Sequence, residues 1–248
     1  MLFLLRKIRR KLMQKNKVTT YLLYAIGEII LVVIGILIAV SINNRNEEIK
    51  SRNKLKETIT ALRSDLIQDT FLIQDRLPEV KRQYLLNESL RGRVAKPSAT
   101  IDTLLKIVRT EFNPNWTEPL RYNTNSYNSL VNSDLIEILP DSIRSQIKNF
   151  YNQKFSKINL VERITNDYRG KLATYVNTYT FGSTSLHDQG PLIDSLVWSN
   201  VDHGHLAASF QGLSNFKRIL FDLTNDEMEF SHKSSKALIL HLDQYLSK

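Results

Sequence analysis

The sequence contains no cysteine and only a few glycines and prolines. Its 248 residues include eight Gly and six Pro. The lack of cysteine excludes disulfide bonds, thiolate zinc sites and a cysteine nucleophile. There is also no glycine-rich phosphate loop and no G-x-S-x-G nucleophile elbow. A domain made from this chain must therefore be held together by packing, and about 200 residues suffice for the core that this requires.

Acidic residues are missing from the start of the chain, and this makes the charge uneven. The formal net charge is +9. Residues 1–20 hold seven Lys and Arg and no Asp or Glu, whereas the residues from Asn43 onward hold 27 Lys and Arg against 24 Asp and Glu. This near-neutral remainder lacks the basic face that neutralises a phosphate backbone, so the composition argues against nucleic acid as a partner.

One segment, residues 21–42, is long and apolar enough to cross a membrane. It reads YLLYAIGEIILVVIGILIAVSI, with one charged residue and no proline. At about 1.5 Å per residue a helix of this length spans roughly 33 Å, which matches a hydrocarbon core of about 30 Å. The small residues Ala39 and Ser41 loosely imitate a signal-peptide cleavage site, but signal peptides have apolar regions of only ~7–15 residues. The segment therefore predicts an uncleaved transmembrane helix.

The basic flank predicts the orientation of this helix. Lys and Arg concentrate on the cytoplasmic side of membrane helices, so residues 1–20 are expected in the cytoplasm and the chain after Ile42 on the other side.

Within the basic tail, residues 1–20, apolar and basic residues alternate with helical spacing. Two interpretations stay open: a helix lying on anionic lipid, or an ordinary basic flank. The basic residues concerned are Arg6, Lys7, Arg9, Arg10 and Lys11.

Glu28 is the one charged residue within the apolar segment. A carboxylate at this depth is costly, and such groups usually face a partner or water. Gly35 follows seven residues later, close to the same helix face, and Gly35 and Ala39 form a small-xxx-small pair that lets two helices approach closely. We interpret Glu28, Gly35 and Ala39 as an association face. The alternatives are that Glu28 extends to the lipid headgroups, or that it lies on an ion or proton pathway.

The residues after the anchor show helical rather than strand periodicity. Leu55, Ile59, Leu62 and Leu66 step by four, three and four, and the same steps recur from Ile73 to Tyr84. This pattern predicts a helical stalk over residues 43–90, with a kink or a new helix start at Pro78. A bundle domain over residues 91–248 is expected to pack with the stalk. The predicted fold class is all-α: a transmembrane helix that continues into a stalk and an extracytoplasmic helical bundle.

Within the bundle, the sequence predicts the order of helices and loops. Arg91–Thr100 and the two-proline stretch Phe112–Leu120 are predicted loops, with a short helix over Ile101–Thr110 between them. Further helices are predicted over 126–131, from an N-cap at Asp141 to about residue 175, over 192–199, from about residue 205, and after Ser214. Residues 181–191 (FGSTSLHDQGP) are the clearest predicted break.

Two stretches carry a resemblance to a known family. The anchor with the two residues after it, YLLYAIGEIILVVIGILIAVSINN, resembles the N-terminal signature of a family of single-pass membrane proteins from Bacteroidota. The stretch SYNSLVNSDLIEILPDSIRSQIKNFYN is similar to that family's central motif. The resemblance implies an inner-membrane protein with a periplasmic domain and supplies no catalytic residue. Arg45 departs from the pattern, which has an aromatic residue after the Asn pair.

The histidines are the main candidates for chemistry. His203 and His205, with His187 upstream, could supply imidazole ligands to a divalent metal together with neighbouring aspartates. Their spacing matches no zinc motif such as H-E-x-x-H, so the simpler interpretation is a polar turn at the start of a helix. The aromatic residues between Trp116 and Phe155 could line a ligand pocket, but aromatics at helical spacing usually belong to a core. The sequence predicts no cofactor and no catalytic residue.

Three function classes remain. The first is a non-catalytic interaction or scaffold protein that assembles with itself or with another envelope protein at the lipid bilayer. The second is a periplasmic ligand-binding or sensing module that acts through a separate partner, since about twenty cytoplasmic residues cannot form an output domain. The third is a metal-dependent or hydrolytic enzyme. A pocket of ~300 Å³ or more would favour the second, and a close approach of His187, His203 and His205 would favour the third.

Overall fold

Helices form all the regular secondary structure in the part of the chain that the structure describes. The structure is a computed structural model, and it describes residues 19–116, 118–179 and 190–247. The long helices are α1 (Thr19–Val94), α4 (Asp141–Thr178) and α6 (His203–Leu246). The predicted all-α class and the apolar N-terminal helix that continues into further helical structure are confirmed.

Helix α1 is 76 residues long and contains both the predicted anchor and the predicted stalk. The alternative of a new helix start at Pro78 is wrong, because the helix runs through this residue, and the alternative of a kink stays a prediction. Proline removes the amide that would bond the carbonyl four residues earlier. The buried residues Ile73 and Val80 lie on either side of Pro78, and their packing keeps the helix continuous. The helix also extends four residues into the predicted loop at Arg91.

The short elements occupy the segment between α1 and α4. Helix α2 (Ile101–Lys106) continues into a π-helical turn over Ile107–Glu111. Helix α3 (Asn125–Asn132) is within one residue of its predicted bounds at each end. Asp134 then adopts a left-handed conformation with φ 55°, and a 3₁₀ turn over Leu135–Ile138 follows. These turns stop the chain from continuing as one helix into α4.

Two predicted helix starts need correction. Asp141 is the first residue of α4 and not its N-cap, which is Pro140. The helices predicted separately from residue 205 and after Ser214 are one helix, α6, because Ser214 is buried and its hydroxyl donates to the carbonyl of Gln211 within the helix. Before α6 lie α5 (Gly190–Leu196) and a 3₁₀ turn over Trp198–Asn200. Most of the predicted break at 181–191 lies outside the described residues.

The chain divides into two units, one ending at Glu57 and one comprising Thr58–Lys248. In the first unit, the apolar residues of the anchor are exposed along the helix. In the second, α4 and α6 make the most extensive contact between helices. Its core contains the buried stripe of α1 from Ile59 to Val80. It also contains an aromatic cluster around Phe112, Tyr168 and Phe210. This second unit is where the polar groups described next are buried.

Candidate functional site

The structure does not bring the predicted histidine ligands together within the described residues. His203 and His205 are both exposed at the start of α6, where the Asp202 side chain caps the helix by accepting from the amide of His205. The ring nitrogen Nδ1 of His205 is hydrogen-bonded to the hydroxyl of Tyr179. His187 lies outside the described residues. Among those residues, no group of three or more side chains is arranged to hold a metal ion.

The predicted association face lies in the exposed part of α1. Glu28, Gly35 and Ala39 are all exposed. A Cβ atom added at Gly35 would meet no atom within 4 Å. The space beside Gly35 is therefore open, as a close helix–helix approach requires. The membrane-surface candidates Arg6, Lys7, Arg9, Arg10 and Lys11 lie outside the described residues.

The most unusual chemistry of the second unit is an ion pair buried between α1 and α4. Lys154 Nζ lies 2.7 Å from Asp69 Oδ2, and both side chains have no exposed surface. The other oxygen of Asp69 accepts from the amide (2.9 Å) and from the side-chain nitrogen (3.0 Å) of Asn123. Burial lowers the pKa of Lys154, and the neighbouring Asp69 opposes this effect. The pair thus fixes the stalk helix, α4 and the loop before α3 to one another.

A second buried carboxyl, Glu227 on α6, extends this polar cluster. Its oxygens accept from Tyr122 Oη (3.1 Å) and Ser231 Oγ (2.8 Å). The Tyr122 ring lies 4.0 Å from Lys154 Nζ, a cation–π distance that joins the two parts of the cluster. Burial is the main cause that raises the pKa of Glu227, and the hydrogen bonds partly offset it. Four segments of the chain therefore meet at Asp69, Tyr122, Lys154 and Glu227.

The start of α3 is capped by α1 and not by its own sequence. Thr124 occupies the N-cap position of α3, but its side chain makes no capping hydrogen bond. Instead, Asp65 Oδ2 on α1 accepts from the amide of Ser126 at 3.3 Å. Negative charge at a helix N-terminus is favourable, since the first amides have no partner within the helix. Asp65 and Asp69, four residues apart on α1, thus both hold the segment that leads into α3.

The two-proline loop at 112–120 is held by groups from α4 and α6. Lys217 is buried, and its Nζ donates to the carbonyls of Asn113 and, at 3.0 Å, Asn115. Burial lowers the pKa of Lys217 to about 8. The hydroxyl of the buried Tyr168 donates to the carbonyl of Pro114. The loop that proline content predicted is therefore fixed through its backbone carbonyls.

Beside this loop lies a cleft between α1, α4 and α6. Its polar lining residues are Arg76, Trp116, Glu118, Tyr122, Thr224 and Glu227, and the remaining lining is apolar. The cleft measures about 390 Å³ with its open mouth included, but only about 20 Å³ admits the centre of a water molecule. This enclosed space holds one or two water-sized atoms and is too small to enclose a whole metabolite.

Most of the aromatic residues between Trp116 and Phe155, which could have lined a ligand pocket, pack in the core. Tyr151 is fully buried and stacks on Tyr127 with ring centroids 3.8 Å apart. Phe155 contacts both rings. Trp116 and Tyr122 are the two that line the cleft. Most of these aromatic residues therefore belong to the core and do not line a pocket.

Sequence reasoning missed the charged residues of the core, although a signal was present. Asp69 lies three residues after Leu66 and four before Ile73, so it occupies the buried stripe of α1. Lys154 follows Phe150 by four residues, and Glu227 follows Leu220 by seven. A charged residue at core spacing predicts a buried, partnered charge, because an unpartnered one would cost several kcal/mol.

A family model matches the greater part of the chain. Residues 28–187 match the family described as a family of unknown function (DUF6090). The match begins within the anchor, at Glu28, and includes Asp69, Tyr122 and Lys154. No curated protein and no solved structure matches the chain. Helix α1 contains a stretch long and apolar enough to cross a membrane, and none of that stretch is buried by the described fold.

Proposed function

This chain belongs to DUF6090, a family of unknown function, and from its fold we propose that it is a membrane-anchored envelope protein with a non-catalytic interaction domain. The observation that carries the proposal is the exposure of the anchor. None of the apolar stretch of α1 is covered by the described fold. Exposed apolar surface of this extent needs lipid or a partner. The basic flank favours a cytoplasmic N-terminus, and the resemblance of the anchor to single-pass membrane proteins from Bacteroidota favours the inner membrane and a periplasmic domain.

The buried charges support an interaction role over catalysis. Asp69, Lys154 and Glu227 each make contacts that hold separate segments of the domain together. Groups used in this way have no free face for a substrate, since their hydrogen-bonding atoms are occupied and excluded from water. Lys217 likewise holds backbone carbonyls. These contacts fix the segments of the domain to one another, as an interaction role requires.

We place self-association on the Glu28, Gly35 and Ala39 face of the anchor. These residues lie within about 40° of one another on a helix of 3.6 residues per turn. Gly35 and Ala39 permit close contact between two helices, and a carboxyl group such as Glu28 can hydrogen-bond across the contact. Copies of one chain cross the membrane in the same direction, so the same face of each copy can meet its equivalent. A second copy is therefore the partner that we propose.

Disulfide cross-linking in native membranes tests this proposal without background, because the chain has no cysteine. Ile42 lies seven residues after Gly35 and shares its face, whereas Val40 lies about 140° away. We expect oxidation to produce a dimer from full-length protein carrying Ile42→Cys and little from Val40→Cys. Absence of dimer from both variants, or equal dimer from both, would overturn self-association through this face.

A further inference from the structure

Two hydrogen-bond donors at the cleft have no acceptor among the described residues. The indole nitrogen of Trp116 is buried and has no partner. Arg76 is partly buried and makes no hydrogen bond to any residue that the structure describes. Its neighbour Glu79 is already bonded to Arg82 and Gln83, at 2.8 Å in each case. Both donors line the same cleft.

Unmet donors of this kind are rare in folded proteins. Leaving a buried N–H such as that of Trp116 without an acceptor is unfavourable, because the group has lost its hydrogen bonds to water. A native structure keeps such groups where water or a ligand supplies the acceptor. The acceptors nearest in the lining do not fill this role. Glu227 already accepts from Tyr122 and Ser231, and Glu118 is a rim residue whose side chain is 70% exposed.

The charges around the cleft favour an anionic acceptor over a neutral one. Arg76 is close enough to Glu79 to help lower the pKa of that carboxyl, but the Glu79 oxygens are hydrogen-bonded to Arg82 and Gln83, which leaves the Arg76 guanidinium available at the cleft. A guanidinium group binds a carboxylate through two parallel hydrogen bonds, which neither water nor an amide carbonyl can match. Glu227 is the acidic group on the opposite side of the cleft, and its oxygens are already hydrogen-bonded to Tyr122 and Ser231.

The size of the cleft limits what part of a ligand can be enclosed. About 20 Å³ is open to the centre of a water molecule, which accommodates the two oxygens of a carboxylate and little else. Any remaining part of the ligand lies in the open mouth, against apolar lining that includes Val80, Pro119 and Met228. The cleft therefore suits the end of a longer molecule.

We propose that the cleft between α1, α4 and α6 binds a carboxylate group, with Arg76 and the indole N–H of Trp116 as its donors. The ligand is a small carboxylic acid or the C-terminus of a peptide, and both present the same group. The site gives the domain a ligand-recognition function that involves none of the anchor residues. Loss of self-association through Gly35 would leave it unaffected.

The two tryptophans of the chain make the site directly observable. In nitrogen-15 spectra of the full-length protein in lipid nanodiscs, each tryptophan gives one indole N–H signal, and Trp198→Phe identifies that of Trp116. We expect acetate to shift the Trp116 signal in a saturable way in the millimolar range, and acetamide, its neutral counterpart, to leave it unchanged. This comparison uses the wild-type protein and needs no destabilising variant.

Arginine variants test the role assigned to Arg76. Arg76→Gln should weaken acetate binding about tenfold or more, and Arg76→Lys should weaken it less, because charge remains but the paired geometry is lost. Arg121→Gln is the matched control, since the Arg121 side chain is 94% exposed and does not line the cleft. Acetate that causes no saturable shift, acetamide that acts equally, or binding unchanged in Arg76→Gln would each overturn the proposal.

A short peptide distinguishes the two possible ligands, which are a small carboxylic acid and the C-terminus of a peptide. An N-acetylated dipeptide with an apolar C-terminal residue and a free C-terminus is compared with its C-terminally amidated form. Tighter binding of the free form than of acetate assigns the cleft to peptide chain ends, because the side chain then contacts the apolar lining. Equal binding of the free dipeptide and acetate assigns it to small acids. Equal binding of the free and amidated dipeptides would contradict recognition of a carboxylate.

Discussion

Asp69 on α1 and Lys154 on α4 form an ion pair from which water is fully excluded. Their oxygen and nitrogen lie 2.7 Å apart, and neither side chain has exposed surface. Removing two charges from water costs several kcal/mol for each ion, and the attraction between them offsets this cost only with good geometry and further hydrogen bonds. Asn123 supplies two such bonds to Asp69. The arrangement is therefore stable only while all its members are present.

Replacing Asp69 with asparagine should destabilise the domain by about 3–5 kcal/mol, because Lys154 is left charged and buried without a counter-charge. Urea unfolding of the purified full-length protein in detergent, followed by tryptophan fluorescence, measures this change. Both tryptophans lie in the second unit, so the signal reports on that unit.

The control for this variant is an exposed ion pair of the same domain. Lys81 and Glu229 are 2.7 Å apart, and each side chain is 51% exposed. Solvent screens such a pair, so Lys81→Met should change stability by less than about 1 kcal/mol. Equal effects of Asp69→Asn and Lys81→Met would show that burial of the Asp69–Lys154 pair has no energetic consequence.

Lys217 should make the stability of the domain rise with pH above about 8. Burial lowers its pKa from 10.5 to about 8 in the folded state. The unfolded chain therefore binds more protons between these values, and stability increases as pH rises through this window. The full shift corresponds to roughly 3 kcal/mol. Burial raises the pKa of tyrosines such as Tyr168, so above about pH 10 they ionise in the unfolded chain first and lower the stability of the folded domain. The effect of Lys217 is therefore measured below that pH.

Unfolding free energies measured between pH 7 and about 9.5 check this prediction. Lys217→Met should remove most of the rise. Lys171→Met is the control, since Lys171 is exposed yet also lies near an aromatic ring, that of Phe216. A rise that persists in Lys217→Met would assign the pH dependence to another group.

The sequence predicted the features that depend on local patterns. Helical spacing predicted α1 and α4, and two prolines predicted the loop held by Lys217. It failed where tertiary contacts decide. The sequence predicts a helix start after Ser214, yet Ser214 lies within α6. Its carbonyl accepts a hydrogen bond from the Asn87 side chain at 3.0 Å. The capping of α3 by Asp65 likewise depends on residues 61 positions apart.

The charged core was missed for a related reason. Apolar periodicity assigns hydrophobic residues to the interior and treats charges as exposed. Asp69, Lys154 and Glu227 have core spacing, but partners from other segments are needed to make their burial possible. The partners from other segments are 54 to 105 residues away in the sequence, so no local pattern could identify them. The cleft donors Arg76 and Trp116 come from distant segments in the same way.

The topology gives a prediction that is independent of the fold. The flank of seven basic and no acidic residues before the anchor predicts a cytoplasmic N-terminus. Protease added to spheroplasts should therefore digest the chain after Asn43 and leave an N-terminal tag intact. Lysed cells, in which the tag is also digested, provide the control. Protection of the domain in intact spheroplasts would reverse the orientation, and a free soluble domain would indicate cleavage near Ser41.

The anchor prediction concerns the effect of one added side chain at Gly35. The position is exposed, and the space around it is open in the single chain. Leucine here should separate two helices that otherwise touch, because only small residues let their backbones approach closely. In the Ile42→Cys background, Gly35→Leu should reduce the cross-linked dimer about tenfold, equivalent to ~1.4 kcal/mol of association free energy. Glu28→Gln should reduce it less, since an amide still hydrogen-bonds across the contact.

The anchor contains its own matched control for this change. Gly27→Leu introduces the same side chain into the same helix, and its surroundings are equally open. Gly27 lies about 100° around the helix from the centre of the Glu28, Gly35 and Ala39 face. Dimer should therefore persist in Gly27→Leu. If Gly35→Leu leaves the dimer unchanged, or if both leucine variants abolish it equally, the contact does not depend on this face, and Glu28 is better explained by extension to the cytoplasmic headgroups.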